Sequence, residues 1–156
     1  MNLKTKKLLN MKNIQVFLMS LLLVVASSYT AMAQKKGGKK PKHKIIMQLT
    51  SNDVAVHKGL IKQLNNLKEG WGETVAIEVV CHGPGIDFLG SDKTQFKDEI
   101  YALKEKGVLF VVCENSLKER KVAKESILQD MLFVKMGIGE IVEKQEQGWT
   151  YIKAGF

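Results

Sequence analysis

From residue 44 onward the chain alternates two apolar patterns: short β-branched runs, and longer stretches where apolar residues recur every three or four positions. Lys44-Ile45-Ile46-Met47-Gln48-Leu49-Thr50 is too short for a helix and predicts a strand. The polar Ser51-Asn52-Asp53 that ends it suits a helix N-cap. Val54, His57, Leu60 or Ile61, Leu64 and Leu67 then share one helical face, and Gly70 and Gly72 stop it. Residues 74–81 predict a second strand, which runs into the turn His82-Gly83-Pro84-Gly85. Phe96, Ile100 and Leu103 stripe a second helix, closed by Lys104, Lys106 and Gly107.

Residues 108–113 are almost wholly apolar, as in a parallel-sheet strand covered on both faces. Ser116-Leu117-Lys118-Glu119 has capping-box spacing and predicts a helix opening at Ser116. Ser126-Ile127-Leu128-Gln129 predicts a further short turn, and residues 133–136 a short fourth strand. After Gly137-Ile138-Gly139, Ile138, Ile141 and Val142 mark a helical face. Gly148 ends that helix, and residues 149–152 read as a last strand. Strands and helices alternating at this spacing imply right-handed crossovers and an α/β fold. The expected architecture is a three-layer α/β/α sandwich with a mostly parallel sheet of about five strands. The pattern does not specify the strand order.

The first 33 residues read as a secretory signal peptide. Lys4, Lys6, Lys7 and Lys12 precede an apolar run over 14–26, and Ala31-Met32-Ala33 places small residues before Gln34. That run is about a dozen residues, whereas a spanning helix needs roughly 20. Export to the periplasm is expected, with an uncleaved membrane anchor as the alternative. No cysteine lies near the cleavage site to carry a lipid.

Residues 34–44 hold six lysines and no acid, and form an expected disordered basic linker before a domain over 45–156. These two segments carry +10, more than the whole chain's net charge of +8. Residues 45–156 carry 14 basic and all 16 acidic side chains, a net −2, which argues against a nucleic-acid-binding face on the domain. The linker itself offers at most weak contact with an anionic surface.

Open α/β sheets bind ligands beyond the carboxyl ends of their strands. Two segments deliver reactive side chains there, Cys81-His82-Gly83-Pro84-Gly85 and Cys113-Glu114-Asn115-Ser116. Cys113 is the stronger candidate, because it ends a buried strand and a helix follows within about three residues, whose amides favour a thiolate. Lys118 and Arg120 add positive charge nearby and Glu114 opposes it. The alternative is an inert buried thiol. His82 is a candidate acid/base, and Gly83, Gly85, Asn115 and Ser116 are candidate substrate-binding positions at the same strand ends. Cys81 is either packed and free or disulfide-bonded to Cys113. His57, on an apolar helix face, reads as a core histidine. Gly83-Pro84-Gly85 lacks the spacing of dinucleotide and phosphate-binding loops. No Cys or His pair has zinc-site spacing, so no metal is expected.

Three stretches together resemble the DsrE/DsrF-like family, in particular its secreted members. They are residues 82–86; residues 107–117, with Cys113 followed by a polar pair; and residues 137–152, from Gly137-Ile138-Gly139 to Trp149-Thr150-Tyr151-Ile152. The resemblance implies a homo-oligomer, trimer or hexamer, and a sulfur-relay role. It implies that Cys113 matches the cysteine that accepts and passes persulfide sulfur between a donor and an acceptor. No organic cofactor is required. The alternatives are a non-catalytic oligomeric binding module of the same fold, and a periplasmic redox protein with a Cys81–Cys113 disulfide.

Overall fold

A computed structural model describes residues 41–155. The segment read as a signal peptide and residues 34–40 of the segment read as a linker lie outside the described residues. The chain order is β1 (His43–Leu49), α1 (Val54–Trp71), β2 (Val75–Cys81), a 3-10 segment (Gly83–Leu89), α2 (Lys97–Glu105), β3 (Val108–Cys113), α3 (Glu114–Glu119), β4 (Leu132–Val134), α4 (Gly137–Glu146) and β5 (Thr150–Lys153). β1 takes in His43 and Lys44, so the strand starts inside the segment read as linker. Lys42 is already tied to the fold, its N–H donating to the Thr74 carbonyl at 2.8 Å.

The five strands form one sheet in the order β4-β3-β2-β1-β5, every neighbouring pair parallel. Handedness then dictates the layers. From β1 through β4 the chain steps in one direction across the sheet, and right-handed crossovers put α1 and α2 on one face. From β4 to β5 it steps back the other way, and the same rule sends α4 to the opposite face. The result is the three-layer α/β/α arrangement.

The two faces are unequal. On the first, Leu60, Leu64, Ile100 and Leu103 pack with Met47, Val79 and Phe110 in a large core. On the second, α4 is the one helix among the described residues that covers the sheet, and the buried cluster is Ile46, Val80, Val111 and Ile141. Alternation along the strands explains the split: Ile45, Met47 and Leu49 face the large core while Ile46 faces α4. Asp53 caps α1, its carboxylate accepting from the Ala55 N–H at 2.8 Å.

Two local expectations shift. The helix after β3 opens at Glu114, not at Ser116. The segment read as a turn opening at Ser126 is a 3-10 turn over Lys124–Ser126 that ends there.

Candidate functional site

Cys113 ends β3 and His82 follows β2, so both stand at the carboxyl edge of the sheet. Gly137, the first residue of α4, brings them together. A Cβ there would lie 3.1 Å from Cβ of Cys113, 3.1 Å from Cβ of His82 and 3.2 Å from Cγ1 of Val80. Glycine lets the helix start settle between those side chains, and its N–H then donates to the Cys113 Sγ at 3.2 Å. Sheet order makes this contact: β4 pairs with β3, with Val134 opposite Cys113, so a helix beginning just after β4 starts beside the sulfur.

Cys113 keeps 5% of its surface exposed. Burial pushes its thiol up, but hydrogen bonds from the Ser116 side chain and the N–H groups of Gly137, Ser116 and Asn115 outweigh that penalty. The thiol is held below its ordinary value. Ser116 is buried in the first turn of α3, and its Oγ accepts from the Gly83 N–H at 2.8 Å. That leaves the hydroxyl proton for the sulfur. Gly83 has φ +53°, a left-handed conformation that favours glycine. The capping-box reading of Ser116 therefore yields to a link between the turn after β2 and the thiol. The Asn115 N–H is also within 3.3 Å of the Lys135 carbonyl.

Two of the charges expected near the sulfur are engaged elsewhere. Arg120 reaches Asp87 at 3.8 Å, and Glu114 pairs with Lys124 at 3.1 Å. Hydrogen bonds, not ion pairs, favour the thiolate here.

His82 is half-buried, and burial lowers its pKa, which favours the neutral ring. Its Nε2 lies 2.7 Å from the Gln48 amide nitrogen, whose partner Oε1 accepts from the Tyr151 hydroxyl. An amide nitrogen only donates, so His82 Nε2 accepts and Nδ1 carries the proton. Gln48, Tyr151 and Gly137 are not among the site residues expected from sequence, although Gly137 and Tyr151 lie in a stretch that carries the family resemblance. They lie on β1, β5 and α4, and only the strand order brings them to this edge.

Other candidates fall outside this cluster. Gly85 is buried, and a Cβ there would stand 2.2 Å from the Leu49 carbonyl oxygen, so its place is in packing the turn against β1. Cys81 stands opposite Val112 in register, so Cys113, one residue further, faces the other side of the sheet. Cys81 belongs to the larger core, where burial pushes its thiol well up. Both cysteines are free, and the disulfide entertained from sequence is not formed. His57 is the expected core histidine, its Nε2 at 2.8 Å from the Ser51 carbonyl and its ring against Phe88. It also lines a cavity of about 290 Å³ with Asn52, Asp87 and Phe96, which Cys113 does not line.

The model of the DsrE/DsrF-like family matches residues 43–154. Among solved structures, a protein of unknown function from Methanobacterium thermoautotrophicum is 28% identical, covers 72% of this chain and 99% of its own, and superposes with a TM-score of 0.68. A conserved protein of unknown function from Bacteroides thetaiotaomicron is 20% identical over 70% of this chain and 93% of its own, with a TM-score of 0.54, a likeness of fold. No curated protein matches significantly.

Proposed function

The chain belongs to the DsrE/DsrF-like family, a family associated with sulfur relay, and on that premise we propose that it is a persulfide sulfur carrier of the bacterial envelope with Cys113 as acceptor. The observation that carries this reading is the Gly137 N–H 3.2 Å from the Cys113 sulfur, joined by the Ser116 side chain and two further amides. Such a cradle favours a thiolate, the form that attacks sulfur. The thiolate attacks the outer sulfur of a donor persulfide. The Cys113 Sγ–S bond forms, the donor S–S bond breaks, and the donor departs as a thiolate that takes up a proton. An acceptor thiolate reverses the step and frees Cys113, with no net oxidation.

His82, with its Cβ against the same glycine, is the group proposed to handle the proton. Donor and acceptor are small molecules or proteins that reach the rim formed by the exposed Asn115, Lys135 and Met136. The signal sequence supports work outside the cytoplasm. Exposed Leu109, Leu132, Ile138 and Val142, around the thinly covered face, support a homo-oligomer, for which the family resemblance implies a trimer or hexamer.

Mass spectrometry after treatment with sodium polysulfide tests the reading. The expected result is a gain of sulfur on Cys113, absent in Cys113→Ser and lost on adding an acceptor thiol. A reagent-accessible Cys113 that takes up no sulfur would overturn it. The 5% exposure of Cys113 favours one other reading, a non-catalytic oligomeric binding module. That reading expects Cys113→Ser to leave assembly and binding intact.

A further inference from the structure

The thinly covered face of the sheet holds a charged group that the sulfur chemistry does not use. Glu78, in the middle of β2, is 1% exposed. Its register neighbours are Ile46 on β1 and Leu109 on β3, so the strands on either side offer it no polar partner. Lys144, in the last turn of α4, pairs with Glu78 Oε2 and also reaches Glu140 at 3.3 Å. The same ammonium lies 4.8 Å from the centroid of the Trp149 ring. Glu78 Oε1 is buried and has no hydrogen-bond partner among the described residues. Burial holds the Glu78 carboxyl above its ordinary range; Lys144 pulls it down and Glu140 pushes it up, so Lys144 is the contact that favours its charge.

Among the described residues, few other side chains hold α4 down. Its buried residues are Gly137 and Ile141, and Ile138 and Val142 on the same helix are exposed. The helix is therefore fixed at three points: Gly137 wedged among Cys113, His82 and Val80 at the start, Ile141 packed on Ile46, Val80 and Val111 in the middle, and Lys144 ion-paired to the sheet near the finish. Ten residues of helix span about 15 Å as one rigid rod, so loosening one end tilts the other.

We propose that the Glu78–Lys144 pair is a positioning device for Cys113, clamping α4 onto the sheet so that the Gly137 N–H stays on the sulfur. The inference concerns the thiol's ionisation and holds whether or not the thiol carries sulfur. The charged or titratable groups around the thiol are His82 from the turn after β2, Glu114 from α3, paired outward with Lys124, and the exposed Lys135 after β4. None of them belongs to the clamp.

The sign of one substitution separates this mechanism from direct electrostatics. Glu78→Gln removes a negative charge, which acting through space lowers the Cys113 pKa. Acting through a loosened α4 it raises that pKa, because a donor is lost. The experiment is the pH profile of Cys113 alkylation by iodoacetamide in the full-length chain with Cys81→Ala as background. Glu78→Gln and Lys144→Met should each move the midpoint upward, by roughly one pH unit for the lysine change, a tenfold drop in thiolate below the midpoint. Lys144→Arg should restore it. Glu78→Gln leaves Lys144 its contact with Glu140 and keeps the side-chain shape, so it provides the reading if Lys144→Met does not fold. A midpoint in Glu78→Gln that is unchanged or lower overturns the proposal, as does a shift in Lys144→Arg as large as in Lys144→Met. Failure of sulfur uptake with these shifts intact would count against the carrier reading alone.

Discussion

The N–H of Gly137 donates to the sulfur of Cys113 across 24 residues of sequence, at 3.2 Å. Helix α4 starts where it does because glycine has no side chain to hold it away from the strand ends. Gly137→Ala adds a methyl 3.1 Å from two Cβ atoms anchored on strand ends and 3.2 Å from Val80. These neighbours cannot swing aside like the tip of a long side chain. The substitution should cost about 1–3 kcal/mol in denaturant unfolding. It should also raise the midpoint of Cys113 alkylation. A folded Gly137→Ala protein with an unaltered alkylation profile would show that the sulfur does not depend on this amide.

Two free thiols per chain are expected when the purified protein is denatured and titrated without reductant. The reason is directional. Cys81 and Val112 sit opposite one another, which turns Cys113 to the other face of the sheet. A bridge would have to pass through the sheet, and disulfide geometry does not allow it without backbone movement. Finding a single titratable thiol, or none, would contradict this placement.

The two thiols should give stability opposite pH dependences. Cys113 has a folded pKa below its unfolded value near 9.0, so the unfolded chain binds more protons in the window between them. Stability therefore rises with pH through that window, is fully present above pH 9, and is lost as pH falls through the folded pKa. Cys81 has a folded pKa far above the same reference, so the folded chain keeps a proton that the unfolded chain loses above about pH 9. Its contribution falls as pH rises further. Urea unfolding across pH 6 to about 10.5 should show that Cys113→Ser flattens the rise and Cys81→Ala the fall.

Much of the fold was legible because each strand is short, apolar and bounded by turn residues. Residues 108–113 announced a strand covered on both faces, and β3 occupies them with Leu109 exposed on the thinly covered face. His57, placed in the core by its helical face, is there. What could not be read is which strands are neighbours. With β4 beside β3 and β5 beside β1, Gly137 meets Cys113 and Tyr151 meets Gln48. Sequence periodicity carries a face but no lateral order, so those partners were invisible while Cys113 and His82 were not. Ser116 was misread for a related reason. Its spacing to Glu119 is that of a capping box, but a tertiary partner, the Gly83 N–H, holds the hydroxyl. Local signals lose when a long-range partner competes for the same group.

His82 should be neutral at physiological pH, with its proton on Nδ1. The Gln48 amide nitrogen approaches Nε2 at 2.7 Å, and the Gln48 oxygen is engaged by the Tyr151 hydroxyl. Protonating Nε2 would set two donors against each other, and burial already disfavours the cation. Nitrogen chemical shifts of the ring should report the Nδ1–H tautomer and a titration midpoint below the ordinary histidine value. Tyr151→Phe releases the amide to turn its oxygen toward the ring, which would then prefer a proton on Nε2, so the midpoint should rise and the tautomer should switch. Gln48→Glu should raise it further, since a carboxylate at that distance favours imidazolium. An Nε2–H tautomer in the unsubstituted protein would reverse the hydrogen-bond direction inferred along Tyr151, Gln48 and His82, and with it the assignment of Nδ1 as the nitrogen that carries the proton.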